Sequence, residues 1–167
     1  MTHYTNRLII LRGNSGSGKS TIAKKLRERS TRKIAIVEQD YLRRFILKEK
    51  EVDDGDNLEL IRQTVEFALG RNYHVILEGI LGARRYRKML MGLINQCPKH
   101  FVYYFDVSFK ESLKRHATKL NASDFGAAEM RSWYTRHDKL GLKEERIIPE
   151  KNTVADTVKK ILQDTGL

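Results

Sequence analysis

Disulfides have no place in this chain: among its 167 residues Cys97 is the only cysteine. One thiol forms neither an internal bridge nor a cysteine-based zinc site, so a reducing, intracellular compartment is expected. Placed at the end of an apolar helical stretch and before Pro98, Cys97 reads as a small buried hydrophobe rather than a nucleophile. No apolar run approaches membrane-spanning length, and Met1 to Asn6 lack the basic and apolar regions of a secretory leader. These absences set the expectation of a cytoplasmic protein with no membrane partner. No repeat, linker or low-complexity tract divides the chain, so one domain over residues 1–167 is expected. Acidic residues are also short: 21 Asp and Glu face 32 Lys and Arg, a net charge of +11. The imbalance favours anionic partners such as nucleotides, phosphorylated metabolites, nucleic acid or acidic surfaces, though a solvated basic face has the same signature.

What is present is a packed-core composition, 40% hydrophobic and 32% charged. Apolar runs at 7–11, 33–37, 75–77, 101–107 and 146–148 predict five strands. Helical spacing predicts helices over 18–30, 41–50, 58–69, 84–97, 109–120, 128–140 and 153–162, with a loop over 121–127. Thr153 and Asp156 have the spacing of a capping box. Strands separated by helices imply an α/β fold, a five-stranded parallel sheet with helices on both faces. Ligands of such folds sit beyond the carboxyl ends of the strands.

The first strand runs into Gly13-Asn14-Ser15-Gly16-Ser17-Gly18-Lys19-Ser20, followed by Thr21. This is GxxxxGK[ST] at every defined position, after a strand and before a helix. The glycines let successive N–H groups turn inward around phosphate oxygens at a helix N-terminus. Lys19 is expected at the β- and γ-phosphates and Ser20 on Mg²⁺, with Thr21 near the α-phosphate. ATP and Mg²⁺ are thus the expected ligands.

This loop resembles that of the small P-loop kinases. Asn-Lys-x-Asp is missing, which disfavours guanine-specific GTPases, and Leu-Ser-Gly-Gly is missing, which disfavours transporter ATPases. A motor ATPase of the AAA type is larger as a rule. After the second strand, Asp40 and Arg43 form an Asp-x-x-Arg pair one helical turn apart. The pair is similar to one in chloramphenicol phosphotransferase, the zeta-toxin-type kinases and the 5′-kinase domains of polynucleotide kinases, a group that also includes gluconate kinase. The resemblance implies a P-loop NTPase fold with a helical lid near 114–139. It also implies that Asp40 takes the proton of an attacking hydroxyl while Arg43 positions the acceptor. The plainer reading, that Asp40 caps the helix that follows it, is compatible with that role. Glu78, at the third strand's end, sits where the resemblance puts a metal-linked acid, to hold a magnesium-bound water or an acceptor group, and is otherwise an ordinary strand-end carboxylate. Lid arginines close over phosphates in such enzymes, and Arg115 and Arg131 are the candidates, with Lys119 next.

Two helix starts break a local rule by opening with cations, Arg43 and Arg44 after the second strand and Arg84 and Arg85 after the third. These four are expected to face an anionic acceptor, unless they simply point into water. The expectation is therefore an ATP-dependent kinase phosphorylating a hydroxyl of a small, anionic molecule. A nucleoside, nucleotide or polynucleotide 5′-kinase is one alternative, and a nucleotide sensor with slow hydrolysis is another.

Overall fold

A computed structural model describes residues 4–118 and 126–167. Five parallel strands form one sheet in the order β2-β3-β1-β4-β5. They are β1 Leu8–Gly13, β2 Ile34–Glu38, β3 His74–Gly79, β4 His100–Asp106 and β5 Arg146–Pro149. The helices are α1 Lys19–Arg29, α2 Gln39–Tyr41, α3 Asp56–Gly70, α4 Ala83–Gln96, α5 Phe109–Ala117, α6 Ala127–Trp133 and α7 Val154–Thr165. Strand β1 is buried along its whole length, as expected of a central parallel strand covered on both faces. Its side chains alternate. Leu8 and Ile10 join one core with residues of α3 and α4, whereas Ile9 and Leu11 join a second core with residues of α1 and α7. Thr153 caps α7 by accepting the amide of Asp156, as its spacing predicts.

Two expected helices end early. The one expected over 41–50 is a single turn, α2, continued by a π-helical turn Leu42–Ile46. Lys48 then takes a left-handed φ of 51°, and the Glu49 carboxylate accepts the amides of Asp56 and Asn57 at the start of α3. Residues 47–50 therefore act as a cap for the next helix instead of extending the previous one. The helix expected over 128–140 stops at Trp133. Tyr134 turns extended, sets its ring edge-on to Phe109 at 5.4 Å and donates its hydroxyl hydrogen to the Val107 carbonyl. Of the expected lid, Lys119 and most of the loop over 121–127 lie outside the described residues.

The irregular return from Thr135 to Glu145 is held by a buried arginine. Arg12, at the polar end of β1, is fully inaccessible. Its Nε and Nη2 donate to the Leu81 carbonyl, and Nη1 donates to the Asp138 carbonyl and the Glu145 carboxylate. Nη2 also reaches the Asp138 carboxylate at 2.8 Å. All five N–H groups of the guanidinium are thereby used. The same Asp138 carboxylate accepts the Ala83 amide at the start of α4.

Removing one member of such a buried set strands the charges of the others, at a cost of about 3–5 kcal/mol. Arg12→Met is expected to lower the unfolding free energy by that amount in urea denaturation. A loss below about 1 kcal/mol would mean that other contacts hold the return segment.

Candidate active site

The loop after β1 has the backbone of a phosphate cradle. Gly13 and Gly16 adopt φ of 145° and 77°, and a Cβ on either would lie 2.7 Å from the Phe105 carbonyl oxygen or 2.5 Å from that of Ser112. Helix α1 starts with no acidic residue in its first turn and no side-chain cap. Its N-terminal amides and positive dipole end thus suit an anion. Lys19 is buried, and its Nζ donates to the Asn14 carbonyl at 2.9 Å and the Ser17 hydroxyl at 3.1 Å. Ser15 is half-buried, while Thr21 is exposed. The Asn14 side chain is used elsewhere. Its amide donates to the Thr135 carbonyl and its carbonyl accepts the Thr135 amide, which ties the cradle to the return segment.

Ser20 and Glu78 meet. The Ser20 hydroxyl donates to the Glu78 carboxylate at 2.7 Å, and Glu78 is 5% exposed. The contact follows from topology, because β1 and β3 are adjacent and Leu11 stands opposite Glu78 in the register. A hydroxyl and one carboxylate form a sparse oxygen donor set, which suits Mg²⁺ because it keeps most of its waters. Among the described residues no group of three or more His, Cys, Asp or Glu could hold a metal.

Strand β2 lies beside β3, with Glu38 opposite Glu78, so Asp40 lies two residues past the carboxyl end of the next strand. Arg43 contacts one carboxylate oxygen of Asp40 at 2.9 Å and Arg44 the other at 3.3 Å. Arg43 also donates to the Glu49 carbonyl. Of the two lid candidates, Arg115 reaches the cradle, donating to the Ser17 carbonyl at 3.2 Å and to Glu111 and the Glu150 carbonyl. A cleft of about 40 Å³ opens there between Gly18, Arg115 and Pro149. Arg131 instead lies over the Phe109 ring, 4.1 Å from its centroid.

Arg84 and Arg85 are engaged within the chain. Arg84 makes a bidentate pair with Asp53, and Arg85 reaches Asp53 at 2.8 Å and Glu51 at 3.8 Å. The positive charge at the start of α4 is thus balanced by the chain's own acids, where the sequence suggested an anionic ligand.

Sequence reasoning missed the polar chain beneath Asp40. Gln39 donates to the Tyr86 hydroxyl, which donates to Asn57, whose amide donates to Glu49 at 2.6 Å. Gly79 leaves the space that Gln39 fills, since a Cβ there would come within 2.7 Å of that side chain. Burial pushes the Tyr86 phenol well up, so it remains a neutral donor. Burial also acts to raise the Glu49 carboxyl, but hydrogen bonds from Asn57 and Asp56 and the charge of Arg43 bring it below the ordinary carboxylate value.

The lowered Glu49 makes a pH-dependent contribution that is present above the unfolded value of about 4.3 and lost as pH falls through the lower folded one. The stability gap between wild type and Glu49→Gln is expected to narrow steadily below about pH 4.5. A gap constant from pH 7 to pH 3 would remove the ionised cap.

A family model described as an AAA domain matches residues 8–140. Solved structures share the fold over nearly the whole chain. One is a sugar kinase from Janibacter sp. HTCC2649, at 17% identity, 95% coverage of this chain and 93% of that one, and a TM-score of 0.74. Another is a gluconokinase from Sinorhizobium meliloti 1021, at 16% identity, 98% and 93% coverage, and a TM-score of 0.64. A third is the APS kinase of Mycobacterium tuberculosis in complex with AMPPNP and APS, at 15% identity, 97% and 98% coverage, and a TM-score of 0.72. At these identities the likeness is one of fold, the P-loop NTPase fold expected from the sequence. No curated protein matches the chain in sequence.

Proposed function

This chain belongs to the AAA domain family, and we propose that its cradle serves not a motor ATPase, the AAA type set aside above for its size, but an ATP-dependent kinase that transfers the γ-phosphoryl group to a hydroxyl acceptor. The observation that carries this reading is the order of groups along the carboxyl edge of the sheet. Asp40 lies past β2, Glu78 ends β3, and the phosphate loop follows β1, on three neighbouring strands. Strands about 4.8 Å apart put the ends of β2 and β1, which carry the first and third of these, about 10 Å apart. That span admits a terminal phosphate and one hydroxyl between them.

In this reading the loop amides and Lys19 hold the triphosphate. Ser20 and Glu78 would hold Mg²⁺, which would supply positive charge against the developing charge of the transferred phosphate. Asp40 orients the acceptor hydroxyl and takes its proton as the acceptor oxygen bonds to the γ-phosphorus. The bond from that phosphorus to the bridging oxygen breaks, and ADP leaves. Arg43 and Arg44 keep the Asp40 carboxylate in place. The reaction needs little more than positioning and charge balance.

The small anionic acceptor expected from the sequence loses part of its support, since Arg84 and Arg85 are matched by Asp53 and Glu51. A slow nucleotide sensor would use the same cradle but has no need of an acid held past the end of β2.

Product formation with ATP, Mg²⁺ and a cell extract, read by mass spectrometry as a gain of a phosphoryl group, tests the reading. Asp40→Asn is expected to lower turnover about 10²–10⁴-fold with the KM for ATP unchanged, and Lys19→Ala to abolish productive ATP binding. Arg115→Gln is expected to slow transfer more than Arg131→Gln. A folded Lys19→Ala protein of normal activity would sink the assignment, and so would ATP hydrolysis that no acceptor changes.

A further inference from the structure

Asp40 rides on a segment with little to hold it. Helix α2 is a single turn without a side-chain cap, and the π turn Leu42–Ile46 that follows buries no residue. Its rings are not anchors, since Tyr41 and Phe45 stack on each other, centroids 5.5 Å apart, and stay more than half exposed. The Asp40 side chain is itself 54% exposed. Of residues 39–46 only Gln39 is buried, and it is the immediate neighbour of the carboxylate assigned to the acceptor.

A buried polar side chain is a rigid anchor when its hydrogen bonds are made. Gln39 fills the space that Gly79 leaves, and its Nε2 donates to the Tyr86 hydroxyl at 3.1 Å. From there the bonds return to Asp40 by another route. Tyr86 Oη donates to Asn57 Oδ1 at 2.8 Å, and Asn57 Nδ2 donates to Glu49. Glu49 and Arg43 exchange two bonds, the Glu49 amide to the Arg43 carbonyl at 2.9 Å and the Arg43 guanidinium to the Glu49 carbonyl at 3.1 Å. Arg43 Nη2 then reaches Asp40 Oδ1 at 2.9 Å. One ring of hydrogen bonds thus runs from residue 39 to residue 40 through α4, the start of α3 and the 47–50 turn. Tyr86 and Asn57 are its members most completely shut away from water. A hydroxyl suits the middle of such a ring, because one oxygen accepts from Gln39 and donates to Asn57.

We infer that Tyr86 is a positioning residue for Asp40. Its hydroxyl fixes Gln39 on one side and, through Asn57 and Glu49, Arg43 on the other, so that the carboxylate meets the acceptor hydroxyl in one orientation. Tyr86 gives up no proton and touches no reacting atom. This rests on the kinase reading of Asp40 given above.

The test compares full-length wild type, Tyr86→Phe, Asp40→Asn and the double variant. Each is incubated with saturating ATP, Mg²⁺ and the same cell extract, and the initial rate of phosphoryl gain is read by mass spectrometry. Tyr86→Phe keeps the ring and loses the hydroxyl. It is expected to slow transfer about 10- to 100-fold, the scale of a reacting group misplaced by up to about 1 Å, with the KM for ATP unchanged. In the Asp40→Asn background the same substitution is expected to change the rate less than about twofold, because residues acting as one unit do not add. Gln39→Met leaves the bond from Tyr86 to Asn57 in place and releases Asp40's neighbour, so it slows transfer likewise even if Tyr86→Phe is too unstable to assay. Thermal unfolding of each variant separates folding from positioning. A lower Tm with transfer at the wild-type rate gives Tyr86 a structural role alone and overturns the inference, and so do rate losses that multiply in the double variant. A wild type that phosphorylates nothing, or an Asp40→Asn protein as fast as wild type, overturns the kinase reading and this inference with it. A slow Asp40→Asn beside a fast Tyr86→Phe and a fast Gln39→Met overturns this inference alone.

Discussion

A guanidinium shut away from water needs every donor answered, and Arg12 meets that demand by drawing in three distant stretches of chain. Leu81 precedes α4, Asp138 lies in the return from α6, and Glu145 leads into β5. Each must arrive in register or leave a charge unmatched in a dry interior, which is why the cluster acts as a constraint more than as a source of net stability. The order of the active edge depends on it. Gly13 follows Arg12 directly, so the residue that opens the phosphate loop is pinned from behind. Asn14 then fastens the loop to Thr135, three residues before Asp138.

The parts of the molecule that could be read from the sequence are those in which local chemistry decides. The cradle was legible because its glycines answer a backbone requirement within eight residues, and the sheet because apolar runs alternate with helical periods. Strand ends moved by only one or two residues, as with β3, expected over 75–77 and found over His74–Gly79. The misses come from contacts distant in sequence. Nothing near Arg12 announces partners 126 and 133 positions away. Tyr134 leaves the helical path because Phe109 and Val107 receive it. Residues 47–50 have ordinary helical composition, yet Glu49 is claimed by α3.

The candidate site divides in the same way. Ser20, Lys19 and Glu78 come together because β1 and β3 pair, and a strand–loop–helix motif with an acid at a strand end signals that much. The arginines are a different matter. A sequence gives their charge and not their neighbours, so Arg84 and Arg85 looked like ligands for an anion until Asp53 was found between them. Arg131 and Arg115 looked equivalent until one was found on an aromatic ring and the other at the loop. Clusters of like charge in this chain are best read together with the acids that the fold brings to them.

The π turn after Asp40 has a consequence of its own. The Leu47 amide reaches back five residues to the Leu42 carbonyl, the mark of one residue accommodated within a helix that otherwise closes over four. Such an insertion is reversible in evolution by a single codon deletion. Losing one position here would close the turn over four residues again and shorten the spacing between residues on either side of it by one. The pairing of Tyr41 with Phe45 and the reach of Arg44 to Asp40 would both be reset in one step. A single indel could therefore change which side chains surround Asp40, while the loop after β1 stayed as it is.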